Sequence, residues 1–412
     1  MRQLLLPMIL LAAGCANAQA PAEMPMGRWV NRDALWSRPP VTLLSGFTNM
    51  HNLDIVHNTA EADYPCRGFF FGWACSQCNG DTPGCDAIFA ARAKAIDGPW
   101  EVFSGFDDAI NARWTSPSDP AEWQPVIHGE DRWFDSWHQG DPSVVLHDGL
   151  YHMAYSATGY NLDGIPFHHP GDTDSDISVV MAAVSVDGLA WTKADEPILV
   201  DEPNRGQAAM KPGDYMHERG LYHRPSLMRE DGGWKLWFDG FVHEKGFHML
   251  HAVNDGAFMD ASAWSIKRGM DDPCIEEFPN PDVHKIGGLY FAWADPGGYP
   301  GEGWASRWTA EAVSLDGETW MMLGAIETDP GKQASHVPEV FVEQLDAESW
   351  KLWLNYGSQI PGDYQYDEIR LRTRVITQAE IDGYKAALEG VSGPARRTPR
   401  PDGDMPRVEA PR

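Results

Sequence analysis

Between residues 138 and 156, in HQGDPSVVLHDGLYHMAYS, apolar and polar positions alternate on both sides of a His147-Asp148-Gly149 turn. Alternate residues of a strand share a face and an Asp-Gly turn reverses the chain, so this pattern predicts a β-hairpin. The same grammar returns as HRPSLMREDGGWKLWFDG from His223, NPDVHKIGGLYFAWAD from Asn280 and HVPEVFVEQLDAESWKLWLNYG from His336, with a looser copy, HNLDIVHN, from His51. A second signal follows the hairpins: a strand, an Asp-Gly turn and a Trp, as in KAIDGPWEV at Trp100, SVDGLAWTK at Trp191, NDGAFMDASAWSI at Trp264 and SLDGETWMM at Trp320. Two hairpins make a four-stranded antiparallel sheet, and sheets repeated radially make a propeller. The expectation is an all-β chain, a five-bladed β-propeller of four-stranded antiparallel blades over residues 41–376. Blades should start near residues 50, 139, 222, 279 and 336, the first spanning roughly 41–106.

The flanks break the pattern. Residues 1–20 carry Arg2, an apolar run from Leu4 to Ala13 and small residues after it, too short to span a membrane, and predict a secretory signal peptide and an exported protein. Ala12-Ala13-Gly14-Cys15 resembles a lipobox, which would place a lipid anchor on Cys15; cleavage after Ala18 is the competing reading. Residues 107–137, 157–176 and 202–221 lack a clean period and predict insertions walling one mouth of the propeller. Thr377-Gln378-Ala379-Glu380 is a capping box opening a short C-terminal helix over 377–390, and the Pro- and Arg-rich residues 391–412 predict a disordered tail.

Composition narrows the partners. A formal net charge of −28 repels nucleic acid and anionic membrane surfaces, and leaves a neutral or cationic small partner. The 18 Trp, 12 Tyr and 16 Phe suit blade cores and sugar stacking alike. Four of the 6 Cys, Cys66, Cys75, Cys78 and Cys85, fall close together without a second C-x-x-C at zinc-ribbon spacing; in an exported protein they predict disulfides. No phosphate loop, nucleophile elbow or zinc helix is present, so no cofactor is required.

Phased on their shared proline, the first strands present one polar face in every blade. It carries Asn52 and Asp54, Asp141 and Ser143, Arg224 and Ser226, Asn280 and Asp282, then Val337 and Glu339. Such a face lines a hydrated axial funnel, or holds the blades together by hydrogen bonds and ion pairs. A structural Ca²⁺ in the channel is compatible with either.

GDPSVVLHDGLYHMAYS resembles the DPSV hairpin of the five-bladed propeller glycoside hydrolases, the superfamily that includes families 43, 32, 68, 62 and 117, and the Ser-x-Asp-Gly-x-x-Trp turns fit as well. The resemblance implies a glycosidase with acidic groups from different blades converging on an axial pocket, and a carbohydrate substrate. It matches Asp54, with Asn52 competing, to the first-blade carboxylate and Asp141 to the second-blade one. Where the superfamily places an acidic Glu two residues before a proline, this chain has His223 and His336; Asp282 and Glu339 are the carboxylate alternatives. Arg224 and Asn280 would hold substrate, with His51, Trp73 and His138 as further subsite contacts. A propeller that binds sugar without cutting it is the other reading. Oligomeric state has no signature here.

Overall fold

In the computed structural model the chain is described between residues 30 and 390, except 47–49, 74–85, 109–110, 131, 133, 136–137, 160–176, 202–220, 243–245, 297–306, 333 and 360–365. The signal segment with Cys15, residues Cys75, Cys78 and Cys85, the Trp73 side chain and the tail lie outside the described residues.

The described strands form five antiparallel sheets arranged as a five-bladed propeller. Blade one runs from the axis outward as β2 (His51–His57), β3 (Cys66–Trp73), β4 (Asp86–Ala93) and β5 (Trp100–Phe106). Blade two is β8 (His138–His147), β9 (Leu150–Gly159), β10 (Ile177–Ser185) and β11 (Thr192–Lys193). Blade three is β12 (Leu221–Glu230), β13 (Gly233–Val242), β14 (Gly246–Asn254) and β15 (Trp264–Arg268), with β16 (Ile275–Glu276) paired to β14. Blade four is β17 (Asp282–Ile286), β18 (Leu289–Ala294), β19 (Thr309–Ser314) and β20 (Trp320–Ile326).

Blade five corrects one boundary. Its strands are β21 (Ser335–Gln344), β22 (Ser349–Gln359) and β23 (Tyr366–Thr377), and its outer strand is β1 (Val41–Ser45), which the sequence pattern assigned to blade one. Val41 pairs with Leu371 and Ser45 with Glu368, so strands from the two ends of the propeller close the ring and leave no open seam between first and last blades. The 107–137 stretch is also more than a loop. Its β6 (Ala112–Thr115) and β7 (Pro125–Ile127) pair with β5 and β4, extending blade one to six strands.

The Asp-Gly turns work alike in different blades. The Gly188 amide donates to Ser185 Oγ at 2.9 Å and the Leu189 amide to Asp187 Oδ1 at 2.8 Å; the Gly317 and Glu318 amides repeat this on Ser314 and Asp316, both at 2.8 Å. Between blades lie buried apolar side chains such as Phe69, Phe70, Trp237 and Trp293. Cys66 is buried among Leu53, Phe70 and Trp100 and is a free thiol, so the disulfide expected of it is absent. The helix α1 (Gln378–Gly390) follows β23, the Glu380 amide reaching Thr377 Oγ1 at 3.4 Å as the capping box requires, and Ile381 buries against blades four and five.

Candidate active site at the propeller axis

All five inner strands bend at the same place. Asn52, Asp141, Arg224, Asn280 and Val337 have φ of 58°, 49°, 50°, 54° and 45°, and the pairing register slips across this point in β2, β8, β12 and β21. These four are bulges, and in blade four Asn280 stands just before β17; all five residues are in the left-handed region, tolerated by Asn and Asp, strained for Arg and more so for β-branched Val. In four blades the next residue is proline, Pro142, Pro225, Pro281 or Pro338, which has no N–H for the interrupted ladder to leave unpaired. Blade one has Leu53 instead. There the Asn355 side chain substitutes, accepting the Leu53 amide at 3.1 Å and donating to the Leu53 carbonyl at 2.8 Å.

The bulge splits the expected polar face into two rings. The residues after the proline position point into seams between blades and bond the next blade's backbone. Asp54 accepts the Val144 amide, Ser143 the Leu227 amide at 2.9 Å, Ser226 the Val283 amide at 2.8 Å and Asp282 the Val340 amide at 2.7 Å; Glu339 accepts from the Asn52 side chain. This deep ring gathers Asp54, Asp282 and Glu339 with His284, whose Nε2 lies 3.1 Å from Asp282. Burial, partly offset by the Val144 amide and reinforced by Asp282, pushes the Asp54 carboxyl up to about 7, and burial with Asp282, Asp54 and Asp141 raises Glu339 well above the carboxylate range. Among the described residues no group of three His, Cys, Asp or Glu is arranged to hold a metal ion, and the Ca²⁺ entertained for the channel is unsupported.

The residues before the proline position make the second ring, at the end of the axis where the inner strands begin; this end is named the mouth for that position, its side chains being as buried as those of the first ring. Their amides bond the second strand of the preceding blade: Arg224 to Ser156 Oγ at 2.7 Å, Asn280 to Asp239 Oδ2 at 3.0 Å and Val337 to Asp295 Oδ2 at 3.0 Å. Asn52, not Asp54, therefore occupies in blade one the place of Asp141 in blade two. In blade five the corresponding second-strand residue is Gly357, where a Cβ would stand 2.7 Å from the Met50 carbonyl; only glycine lets blade one pass so close.

Around this mouth the side chains form a continuous chain of contacts. His51 Nδ1 lies 3.7 Å from Asp141 Oδ1, Arg224 Nε 3.8 Å from Asp141 Oδ2, and Arg224 Nη1 3.6 Å from Asp239 Oδ2. Asp239 also holds His223 Nδ1, and the Asn280 side chain donates to Asp295. Asp295 Oδ2 contacts His336 Nδ1 at 2.6 Å and Arg307 Nη1 at 2.9 Å, and the His336 ring meets that of His51 edge-on at 4.9 Å. On the rim, His138 Nδ1 lies 2.8 Å from Asp86 Oδ2, and Phe71 bridges it to His51 with centroids 5.1 and 4.5 Å away.

Charges follow from these contacts. Burial opposes ionisation of Asp141, but Arg224 and then His51 outweigh it and hold its carboxyl below the usual range. Burial, then His336, lowers His51 well below an ordinary imidazole; burial, then Arg307 and Arg224, does the same to His336.

The structure thus brings His51, Asn52, Asp141, His223, Arg224, Asn280 and His336 to one mouth, with His138 on its rim, and places Asp54, Asp282 and Glu339 in the deep ring. Trp73 ends β3. Sequence reasoning missed Asp86, Asp239, Asp295 and Arg307. For two of these a signal existed: Phe238-Asp239 and Ala294-Asp295 stand on the second arm of their hairpins at the place that Tyr155-Ser156 holds in blade two.

No protein-family profile matches the chain, and no curated protein is similar to it in sequence. Solved structures are similar in shape. A protein described as a glycoside hydrolase superposes with a TM-score of 0.54 at 12% identity, covering 82% of this chain and 92% of that one. A thermostable family-43 glycoside hydrolase gives 0.48 at 12%, covering 88% and 98%. An alpha-L-arabinofuranosidase from Lactobacillus brevis gives 0.48 at 12%, covering 80% and 91%. At these identities the shared property is the fold, a five-bladed propeller of the kind used by glycoside hydrolases.

Proposed function

We propose that the axial mouth is the active site of an exported glycoside hydrolase acting on oligo- or polysaccharides. The observation that carries the reading is Asp141: a buried carboxylate held in its charged form by Arg224, with His51 Nδ1 3.7 Å away, at the strained bulge of an inner strand, beside imidazoles from three other blades. Glycosidic cleavage passes through an oxocarbenium-like state and needs one group to protonate the departing oxygen and one to deal with the attacking water. An ionised Asp141 faces the positive charge developing on the sugar and takes the water's proton, and an imidazole supplies the other. The fold shared with glycoside hydrolases and the DPSV hairpin support this reading. Export rests on the apolar run from Leu4 to Ala13.

One observation favours a binding propeller instead. Asn52 occupies the blade-one place corresponding to Asp141, and its amide, bonded to Glu339, offers no charge to a reacting centre.

Asp141→Asn separates the two. On a panel of aryl glycosides and plant or algal oligosaccharides, turnover should fall about 10²- to 10⁴-fold with the melting temperature nearly unchanged. Cleavage by the wild type that Asp141→Asn leaves intact removes Asp141 from the mechanism. Saturable sugar binding with no wild-type cleavage across the panel favours the binding propeller.

A further inference from the structure

The mouth contains two histidine–aspartate pairs built from equivalent positions but wired differently. In blade five, His336 Nδ1 is shared between Asp295 Oδ2 at 2.6 Å and Arg307 Nη1 at 2.5 Å, and the ring is only 3% exposed. A guanidinium against the ring opposes a second proton there, so this imidazole is fixed as a neutral member of the wall. In blade three, His223 stands opposite Asp239 in the strand register and its Nδ1 meets the carboxylate, with no cation on that nitrogen among the described residues. Asp239 is fully buried and gripped from the other side by the Asn280 amide at 3.0 Å and Arg224 at 3.6 Å, so it does not turn away. The His223 ring lies against Phe247, centroids 5.5 Å apart and planes 19° from parallel, and its side chain keeps 14% exposure. A ring held on one face and at Nδ1 has only Nε2 left to present.

Resting on the hydrolase reading above, we infer that His223 is the proton donor of this site and that Asp239 is its positioning residue, accepting Nδ1–H and orienting the ring so that the second proton of the imidazolium sits on Nε2. In the step assigned to them, the Nε2 proton of the imidazolium passes to the glycosidic oxygen as its bond to the anomeric carbon breaks, the electron pair leaving with that oxygen. Water adds to the anomeric carbon and its proton goes to Asp141; exchange with solvent restores both groups. Arg224 stands between the two carboxylates, 3.8 Å from Asp141 and 3.6 Å from Asp239, and holds Asp141 in its charged form while His223 carries its proton. The groups facing His223 are Asp239 on β13, Arg224 on its own strand, Asp141 on β8 and the apolar Phe247 on β14. Burial lowers the His223 imidazole, Asp239 pulls it back up and Arg224 lowers it again, leaving it below the ordinary value of 6.5. Activity that needs His223 protonated and Asp141 ionised is therefore confined to acidic pH.

The test is kcat and KM against pH for wild type, His223→Ala, Asp239→Asn and Asp239→Glu, on two aryl glycosides of one sugar, one with a dinitrophenol leaving group that departs without a proton and one with a poor leaving group. In Asp239→Asn, kcat on the poor leaving group should fall about 10- to 1,000-fold, KM should stay within about threefold, and the alkaline limb should move to lower pH. The dinitrophenyl substrate should keep most of its rate in Asp239→Asn and His223→Ala, and Asp239→Glu should recover part of the loss. Asn can still accept the Asn280 amide, and thermal unfolding checks that the variant is folded; if it is not, His223→Ala alone decides through the ratio of rates on the two substrates. Equal losses on both substrates with an unmoved pH limb assign Asp239 a structural role and overturn the inference. If Asp141→Asn abolishes activity while His223→Ala retains it on the poor leaving group, the donor assignment alone falls. A wild type that cleaves neither substrate overturns the hydrolase reading with it.

Discussion

Asp141 and Ser143 are two residues apart on one strand, yet belong to rings of opposite character. In the mouth ring, side chains meet one another around the axis: Arg224 lies 3.8 Å from Asp141 and 3.6 Å from Asp239, and Asn280 and His336 contact Asp295. In the deep ring each oxygen accepts a neighbouring blade's amide or, at Glu339, the Asn52 side chain. Both rings are polar, buried and axial. What separates them is the kind of partner: the side chains of the deep ring join blades through backbone amides, whereas those of the mouth ring gather charged groups on strained backbone, the state expected of a site that acts on something else.

If that division holds, variants of the two rings fail in different assays. The largest effect belongs to Asp282→Ala. This carboxylate accepts the Val340 amide at 2.7 Å, receives Ser226 Oγ at 3.3 Å and lies 3.1 Å from His284 Nε2. Its removal leaves a buried amide unpaired and takes the partner from a half-buried imidazole, costing about 2–4 kcal/mol, and chemical denaturation should show that loss while kcat per folded molecule is kept. A variant of full stability and no activity would move Asp282 into the catalytic ring.

How much of this was legible in the sequence depends on how local its cause is. The hairpins and Trp turns were readable because period two and Asp-Gly chemistry are written within ten or so residues. The role of Val41–Ser45 in blade five was not, since the pairing of Val41 with Leu371 has no local signature at either end. The prolines announced the bulge but not its consequence. A regular strand would put Asn52 and Asp54 on one face as equals; the left-handed residue rotates them into separate rings and gives the place of Asp141 to Asn52. Asp239 and Asp295 went unread because Asp-Gly and Asp-Pro have the composition of turns, and only the hairpin register aligns them with Ser156.

pH should act on the deep ring with a definite sign. Asp54 titrates near 7 in the folded protein against 3.8 when exposed, and Glu339 is shifted in the same direction. A carboxyl whose folded value is raised contributes its full stability below its unfolded value, and loses it as pH rises through the folded one. Buried His51 and His336 work the other way, being lowered, and weaken the fold as pH falls below 6.5. The wild-type curve is their sum, so the informative quantity is a difference. Glu339→Gln, whose amide oxygen can still accept from Asn52, should gain stability relative to wild type steadily from pH 5 to pH 8. A difference that does not change with pH would show that Glu339 is not a buried carboxyl of raised affinity for its proton.

The smallest effect bears on the comparison most directly, because it uses the strand that holds Asp141. Ser143 Oγ accepts the Leu227 amide at 2.9 Å across the seam between blades two and three, and Ser143 is only 5% exposed. Ser143→Ala leaves that amide without an acceptor at a cost of about 1–2 kcal/mol, a fall of at most a few degrees in Tm for a chain of this length. Ser226→Ala should cost more, since Ser226 Oγ accepts the Val283 amide at 2.8 Å and also donates to Asp282 Oδ1 at 3.3 Å. Neither serine reaches the mouth, so both variants should retain wild-type kcat and KM at temperatures where they are folded, whereas Asp141→Asn should lose turnover and keep its Tm. A Ser143→Ala protein of unchanged stability and reduced kcat would reverse the assignment of the two rings: the hydroxyl would be touching substrate, and the bulge would not separate structural from reactive positions along the strand.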